Sequence, residues 1–303
     1  MFNKLKDYIL LKLGITELRH NLATAEKNLN DRFDFLGAYM NLTQKEDIEI
    51  DPAIASKVAT KLCAEYNIDT INMATHKNDV MFAIHVFGHR YNLENAVYTN
   101  FRIGAETALN LKRICEEYKI APQKILDFGS GYGRVSRFLK QKFPESEIEI
   151  SEVKSQALDF QKRHFGFKGI FHSQDAESLN CEKQDLILAV SVFSHLPKTT
   201  FAPWLNKLIQ CLNSGGALVF TFNNSEDPKY FGVTKNQNFV YQQVSEDSKF
   251  AFLSDSIKDT NDYGHTFVTH QYLEDLLSEN DVSYHFLGKS LVQSQESIII
   301  IKN

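Results

Sequence analysis

The residues that carry chemistry gather around one glycine run. Ile125-Leu126-Asp127-Phe128 leads into Gly129-Ser130-Gly131-Tyr132-Gly133-Arg134, followed by a stretch with Val135, Phe138 and Leu139 at helical spacing. Glycines allow a tight turn between strand and helix and let a ligand approach the backbone. A dinucleotide site needs G-x-G-x-x-G with the pyrophosphate on the helix N-terminus. Arg134 stands where the third glycine of that pattern belongs, so the fingerprint fails. The spacing is G-x-G-x-G, with Asp127 two residues ahead of the first glycine. A carboxylate there repels a pyrophosphate and suits the ammonium group of a zwitterionic ligand. A second carboxylate belongs at the end of the next strand, about 20 residues on, where its two oxygens can accept from both ribose hydroxyls. Glu152, 21 residues after Gly131, fills that place. After the third strand, Asp175 can accept from an exocyclic adenine amine and the Ala176 N–H can donate to the ring. A helix cap is the plainer role for Asp175.

Taken together these segments resemble a known family. ILDFGSGYGRVSRFL (125–139) resembles the first motif of class I S-adenosylmethionine-dependent methyltransferases. EISEVKSQALDF resembles their second motif, and SVFSHLPKTTFAPWLNKLIQCLNSGGALVFTF resembles the stretch from their fourth strand through the fifth. The resemblance spans about residues 95–222. DFGSGYGRVSRFL together with VFSHL is similar to a subgroup associated with glycan and polysaccharide biosynthesis. In that subgroup a tyrosine-containing segment ending in glycine precedes the core, as Tyr98–Gly104 does here. Asp is commoner in the family where Glu152 stands, with the same chemistry. The resemblance implies S-adenosylmethionine as cofactor, held by Asp127, Gly129, Ser130, Gly131, Gly133, Glu152, Val153, Asp175, Ala176, Tyr98, Val190 and Phe193. Tyr132 and Phe101 are further candidates for an aromatic wall, since a cation over a ring gains about 0.5–2 kcal/mol. It also implies methylation, at oxygen, of a small-molecule or glycan-type acceptor, with no metal.

Methyl transfer from a sulfonium is an in-line displacement driven chiefly by alignment and exclusion of water. An oxygen of high pKa needs a base as well. His195, in Ser191-Val192-Phe193-Ser194-His195-Leu196-Pro197, follows strand four, where open α/β sheets place their ligand crevice. It is the first candidate for base or acceptor-positioning residue; capping or bonding its own loop is the plain alternative. His265, in Asp262-Tyr263-Gly264-His265-Thr266, is the second candidate. Asn223 and Asn224, past strand five, can bind an acceptor hydroxyl or form a turn.

The elements that position these groups show in the periodicity. KILDF, EIEIS, GIFHS, DLILAV and GALVFTF are short apolar runs separated by helical stretches at Gly133–Phe143, Ser155–His164 and Ala202–Leu212. His285–Leu287 and Ser297–Lys302 add two late strands after a helix at Thr269–Leu277. The expected fold is α/β: a Rossmann-like, mainly parallel seven-stranded sheet with helices on both faces, preceded by an N-terminal helical region. Three segments are expected. Residues 1–45 form an amphipathic helix, with Leu11, Ile15, Leu18, Leu22, Ala25 and Leu29 as its stripe and Phe33, Leu36 and Met40 continuing it after a slip. So narrow a seam suits either a coiled coil pairing two chains or packing on its own domain. Residues 46–120 read as a helical cap or acceptor region without strands. One of its helices is opened by Asp51-Pro52 and carries Ile54, Val58 and Leu62; another spans Ala105–Tyr118. The runs 78–82 and 95–103 lack clear periodicity. Residues 121–303 form the cofactor-binding domain, and 223–268 is its longest irregular part.

Composition excludes some classes. The 303 residues carry a net charge of −5, without the basic face of a nucleic-acid binder. Ser191-Val192-Phe193-Ser194 is no N-P-P-Y tetrapeptide, which argues against base methylation. Cys63, Cys115, Cys181 and Cys211 lack C-x-x-C or zinc spacing, so a reducing, cytoplasmic setting is expected. No run approaches the roughly 20 apolar residues of a membrane span. Expected partners are the acceptor and a second copy of the chain through the N-terminal helix. A non-catalytic assembly subunit of the same fold is the alternative, ahead of a nicotinamide-dependent oxidoreductase, which Arg134 and Asp127 disfavour.

Overall fold

The structure, a computed structural model, describes residues 22, 47–90, 92–235, 237–243 and 264–303. The stripe from Leu11 to Met40 lies outside the described residues apart from Leu22.

The chain enters through strand β1 (Asp47–Ile48) and helix α1 (Pro52–Tyr66). As the sequence suggests, Asp51 caps α1: its Oδ1 accepts from the N–H of Ala53 at 2.9 Å and of Ile54 at 3.2 Å. Strand β2 (Thr75–His76), helix α2 (Val80–Gly88) and helix α3 (Leu93–Glu117) follow. Two expectations are corrected here. β1 and β2 pair antiparallel, so the region is not strand-free. Residues 95–103, which read as aperiodic, lie inside α3. The buried face of α3 includes Asn100, Gly104 and Thr107, small or polar side chains that break an apolar count. They are there because α3 packs close: a Cβ on Gly104 would lie 1.9 Å from the Arg134 carbonyl oxygen.

The sheet is built from β3 (Lys124–Phe128), β4 (Glu147–Glu152), β5 (Lys168–Phe171), β6 (Gln184–Ala189) and β7 (Leu212–Asn224), all parallel in the order β5-β4-β3-β6-β7. Beyond β7 lie β11 (Glu296–Lys302) and then β10 (Val282–Gly288), each antiparallel to its neighbour. The seven expected strands form the main path of a sheet that has nine strands. The long irregular segment contributes two more strands, β8 (Phe239–Gln243) and β9 (Gly264–Val268). β9 pairs with the far end of β7 through Asn223↔Phe267 and Asn224↔Val268. The order reverses at β3: β4 and β5 continue on one side of it, and the chain then crosses to β6 and β7 on the other. Such a switch point opens a crevice at the strand carboxyl ends.

Alternation along each strand sends side chains to two cores. On one face Ile125, Ile148, Leu186, Leu188, Val219 and Ile299 pack against α1, α2, α3 and α4 (Ser136–Lys142), so residues 52–117 share a continuous core with the sheet. On the other, Leu126, Phe128, Ile187, Leu218, Phe220 and Ile298 meet α6 (Lys198–Gln210) and α8 (His270–Leu277). Helix α5 (Ser155–Phe165) lies along β4 and β5, and a short α7 (Phe231–Thr234) follows β7. The expected helix at Gly133–Phe143 begins only at Ser136, because three glycines before it hold positive φ.

Candidate functional site

The glycine turn is built from backbone that only glycine adopts cheaply. Gly129, Gly131 and Gly133 have φ of 69°, 56° and 74°. At Gly129 a side chain would also strike Val192, whose Cγ2 is 2.5 Å from a Cβ built there. Gly131 differs: nothing lies within 4 Å of its Cβ position, so the turn is open at its tip. The N–H groups of Gly129 and Ser130 donate to the Ser151 carbonyl at 2.9 and 3.2 Å, which ties the turn to the end of β4.

Glu152 ends that strand and is 8% exposed. Its Oε2 accepts from the Gly131 N–H at 2.9 Å and its Oε1 from the Val153 N–H at 2.8 Å. Asp127, one residue before the end of β3, is 2% exposed, and Ser136 Oγ donates to its Oδ2 at 2.5 Å. Burial pushes the Asp127 carboxyl up to about 7; the Ser136 bond opposes the rise and the Glu152 charge adds to it. The structure thus brings Asp127, Gly129, Ser130, Gly131, Gly133, Glu152 and Val153 together at the switch point. The set fits a zwitterionic nucleoside: an open backbone tip, one strand-end carboxylate with two acceptor oxygens, and a second, titratable carboxyl beside it.

Asp175 and Ala176 lie in a short 3-10 turn after β5. Asp175 is exposed and accepts from the Glu177 N–H at 3.1 Å, the capping role, while Ala176 is buried. Val190 follows β6, and Ser191 after it has φ of 59°. Several aromatic expectations are corrected. Phe193 is fully buried against Phe201 and Phe220, and Phe101 is buried with the Arg137 guanidinium 4.7 Å from its ring. Tyr98 faces α1: its hydroxyl donates to Glu65 Oε2 at 2.8 Å and Lys61 Nζ lies 3.9 Å from its ring centroid. Tyr132 stacks on His76 at 4.7 Å. Residue type alone does not tell which side of a packed layer an aromatic faces: Phe193, Phe101 and Tyr132 are buried in the core, and Tyr98 is half-buried against α1.

His195 and His265 do meet, with ring centroids 5.5 Å apart. His195 Nδ1 lies 2.8 Å from the Gly264 carbonyl, which can only accept, so Nδ1 carries the proton and Nε2 the lone pair. Burial holds its pKa down to about 4, with the Gly264 bond opposing and His265 adding to the fall. Burial also lowers His265, which stays exposed on β9. The pair is pinned where the chain leaves β6: the Thr266 N–H donates to the Ser194 carbonyl at 2.8 Å and Thr266 Oγ1 to the Leu196 carbonyl at 2.5 Å. Val192, three residues earlier, is the side chain that covers Gly129, so one loop joins the histidines to the glycine turn. Asn223 and Asn224 are structural: their Nδ2 groups donate to the Thr266 carbonyl at 3.0 Å and to Glu296 Oε1 at 3.0 Å.

Sequence reasoning missed Gln161 and Arg137. Gln161 Nε2 donates to Ser130 Oγ at 2.7 Å and to the Gly131 carbonyl at 2.8 Å, buttressing the turn from α5. One signal existed: Gln161 sits four residues after Ala157, in phase with the buried face of α5. Arg137 donates to the carbonyls of Gly133, Tyr132, Asn72 and Ala74, locking the turn to residues 72–74.

Comparison with known proteins agrees with this geometry. Residues 125–216 match the model of a family described as a methyltransferase domain. A malonyl-[acyl-carrier protein] O-methyltransferase of Ilyobacter polytropus is 26% identical over 179 residues, 54% of this chain; the match spans 65% of the relative's length. Among solved structures, a Nostoc punctiforme PCC 73102 protein assigned as an O-methyltransferase superposes with a TM-score of 0.50 at 15% identity, covering 82% of this chain and 69% of that one. An S-adenosylmethionine-dependent methyltransferase from Clostridium acetobutylicum ATCC 824 gives 0.45 at 15% identity, over 65% of this chain and 91% of that one. Among the described residues no helix is long and apolar enough to cross a membrane. Residues 125–216 thus match a methyltransferase domain, and the chain has the fold of the solved methyltransferases.

Proposed function

We propose that this chain transfers the methyl group of S-adenosylmethionine to an oxygen of a small-molecule or glycan-type acceptor. The observation that carries the oxygen assignment is the half-buried His195 imidazole, with its proton at Nδ1 and its lone pair at Nε2, on the loop that covers Gly129. The cofactor supplies an activated methyl on a sulfonium. The chain's residues do the rest. Glu152 accepts from the ribose hydroxyls, Asp127 faces the ammonium end, and the open tip at Gly131 admits the ligand against the backbone. His195 orients the acceptor hydroxyl and takes its proton as the oxygen–methyl bond forms and the methyl–sulfur bond breaks, the sulfur leaving as the neutral thioether of S-adenosylhomocysteine; a positioned base contributes about 10²–10⁴-fold. The Gly264 carbonyl stabilises the imidazolium that results, as it stays bonded to Nδ1.

The Ilyobacter relative is named for O-methylation of a malonyl-acyl-carrier protein, which supports oxygen as the acceptor atom. The glycan subgroup rests on the wording of the DFGSGYGRVSRFL and VFSHL segments. The test is transfer of labelled methyl from S-adenosylmethionine to a panel of sugars, glycolipids and malonyl thioesters. Label on an oxygen is expected. Label only on nitrogen, or thermal stabilisation by NAD and not by S-adenosylhomocysteine, refutes the reading.

A further inference from the structure

The four cysteines share no motif spacing, yet the fold brings two of them together. Cys181 lies on the loop that enters β6, and Cys211, thirty residues on, caps the C-terminal end of α6 just before β7. Parallel pairing of β6 with β7 sets Gln184 opposite Leu212, and the Gln184 N–H donates to the Cys211 carbonyl at 2.8 Å. Both cysteines pack into one core layer, Cys211 buried and Cys181 half-buried at its margin. Their side chains are hydrogen-bond partners, the Cys181 thiol donating to the Cys211 sulfur. Two sulfurs in contact on segments already tied by a strand ladder need little backbone movement to bond covalently.

The surroundings of Cys211 suit an anion. Lys183 Nζ donates to the Gln210 carbonyl, and Lys302 Nζ to those of Ile209 at 3.3 Å and Leu212 at 3.1 Å, so two ammonium groups sit on one turn. Lys207 lies in the same last turn of α6. Of the three, only Lys207 has a carboxylate within 4.0 Å among the described residues, Glu177 at 3.3 Å. The carbonyls at the helix end offset part of this charge. A thiolate on Cys211 offsets more, and positive charge beside a thiol favours that reactive form. The Cys181 hydrogen bond and the lysines pull the Cys211 thiol down against its burial; the same bond, burial and Glu149 push Cys181 up. Cys115, in the other core, is pushed up to about 12 by burial.

We propose that Cys181 and Cys211 are a dithiol oxidised by hydroperoxides, whose disulfide staples the N-terminal end of β6 to the C-terminal end of α6. The Cys211 thiolate attacks one oxygen of the hydroperoxide. A sulfur–oxygen bond forms, the oxygen–oxygen bond breaks, and the alcohol or water leaves with a proton from solvent. The Cys181 sulfur then attacks the Cys211 sulfenic acid; the disulfide forms, and water leaves with the Cys181 proton. Each sulfur loses one electron and the peroxide takes both. A dithiol reductant reverses the step by exchange. The loop so closed contains β6, residues 190–197 and α6, while the new bond lies at the strand end away from the glycine turn.

The test uses the full chain, reduced with dithiothreitol, freed of it and titrated with hydrogen peroxide under native conditions. Peptide mass mapping should find a disulfide joining Cys181 to Cys211, reversed by dithiothreitol, at doses that leave Cys63 and Cys115 reduced. The oxidised protein should melt at least about 5 °C higher, because the bond closes a thirty-residue loop. Cys181→Ser should stop at a sulfenic acid on Cys211, trapped by dimedone, and Lys302→Gln should slow disulfide formation at least about threefold. No bond between Cys181 and Cys211 in the folded wild type, a bond that forms only after heat unfolding, or first oxidation at Cys63 or Cys115 overturns the proposal. So does a rate unchanged by Lys302→Gln. The wild-type mapping decides the matter even where a variant fails to fold.

Discussion

On the proposed reading, Asp127 is expected to couple cofactor binding to a proton. Its carboxyl titrates at about 7 in the free protein because burial at the end of β3 disfavours the anion. The ligand's ammonium group favours that anion, so only the ionised protein binds well. Apparent affinity then scales with the ionised fraction, about 0.09 at pH 6 and about 0.91 at pH 8 for a group at about 7, a tenfold change. Stability moves the other way. The carboxyl is raised from about 3.9 unfolded, so the folded state holds the extra proton between about pH 4 and 7. The stability this group contributes is present below pH 4 and lost as pH rises through 7, about 4 kcal/mol over a span of about three units. The assay is titration calorimetry with S-adenosylhomocysteine from pH 6 to 8 in buffers of different ionisation enthalpy, with Asp127→Asn as control. The wild type is expected to release close to one proton on binding at pH 6, and Asp127→Asn to lose most of the pH dependence. Equal affinity at pH 6 and 8, or the same pH slope in Asp127→Asn, refutes the reasoning.

Three further outcomes follow from the geometry. Glu152→Gln replaces an oxygen that accepts from Gly131 or Val153 with an amide donor, and calorimetry should show S-adenosylhomocysteine binding weakened about ten- to hundredfold (about 1.5–3 kcal/mol). Gly131→Ala and Gly104→Ala should separate binding from folding. The first meets no atom within 4 Å but strains a φ of 56° by about 1–2 kcal/mol and blocks the cradle; the second drives a Cβ into the Arg134 carbonyl and should lower the melting temperature by at least about 6 °C. His195→Asn keeps a donor for Gly264, so turnover should fall about 10²–10⁴-fold while the dissociation constant for S-adenosylhomocysteine stays within about twofold.

What was legible in the sequence was local or periodic. The strand–helix alternation from Lys124 onward needs only a two-residue or 3.6-residue repeat, and the structure places five of those strands in parallel register. The G-x-G-x-G turn, Asp127 and Glu152 are also local, since each carboxylate sits at the end of its own strand and parallel pairing brings those ends together. The path of α3 was hidden because close packing on the Arg134 carbonyl selects Gly104, Asn100 and Thr107, which carry no hydrophobic signal. The fate of Phe193, Phe101 and Tyr98 depended on which layer each side chain met, and no spacing encodes that. The meeting of His195 with Gly264 and His265, about 70 residues away, depends on β9 pairing with β7. The sequence by itself determined the glycine turn, because such a turn is a continuous backbone shape that glycine spacing writes directly. Only the tertiary structure decided the state of Asp127 and of the neutral His195. Each of those depends on desolvation and charge supplied by elements remote in the chain, and burial is a property of the packed whole.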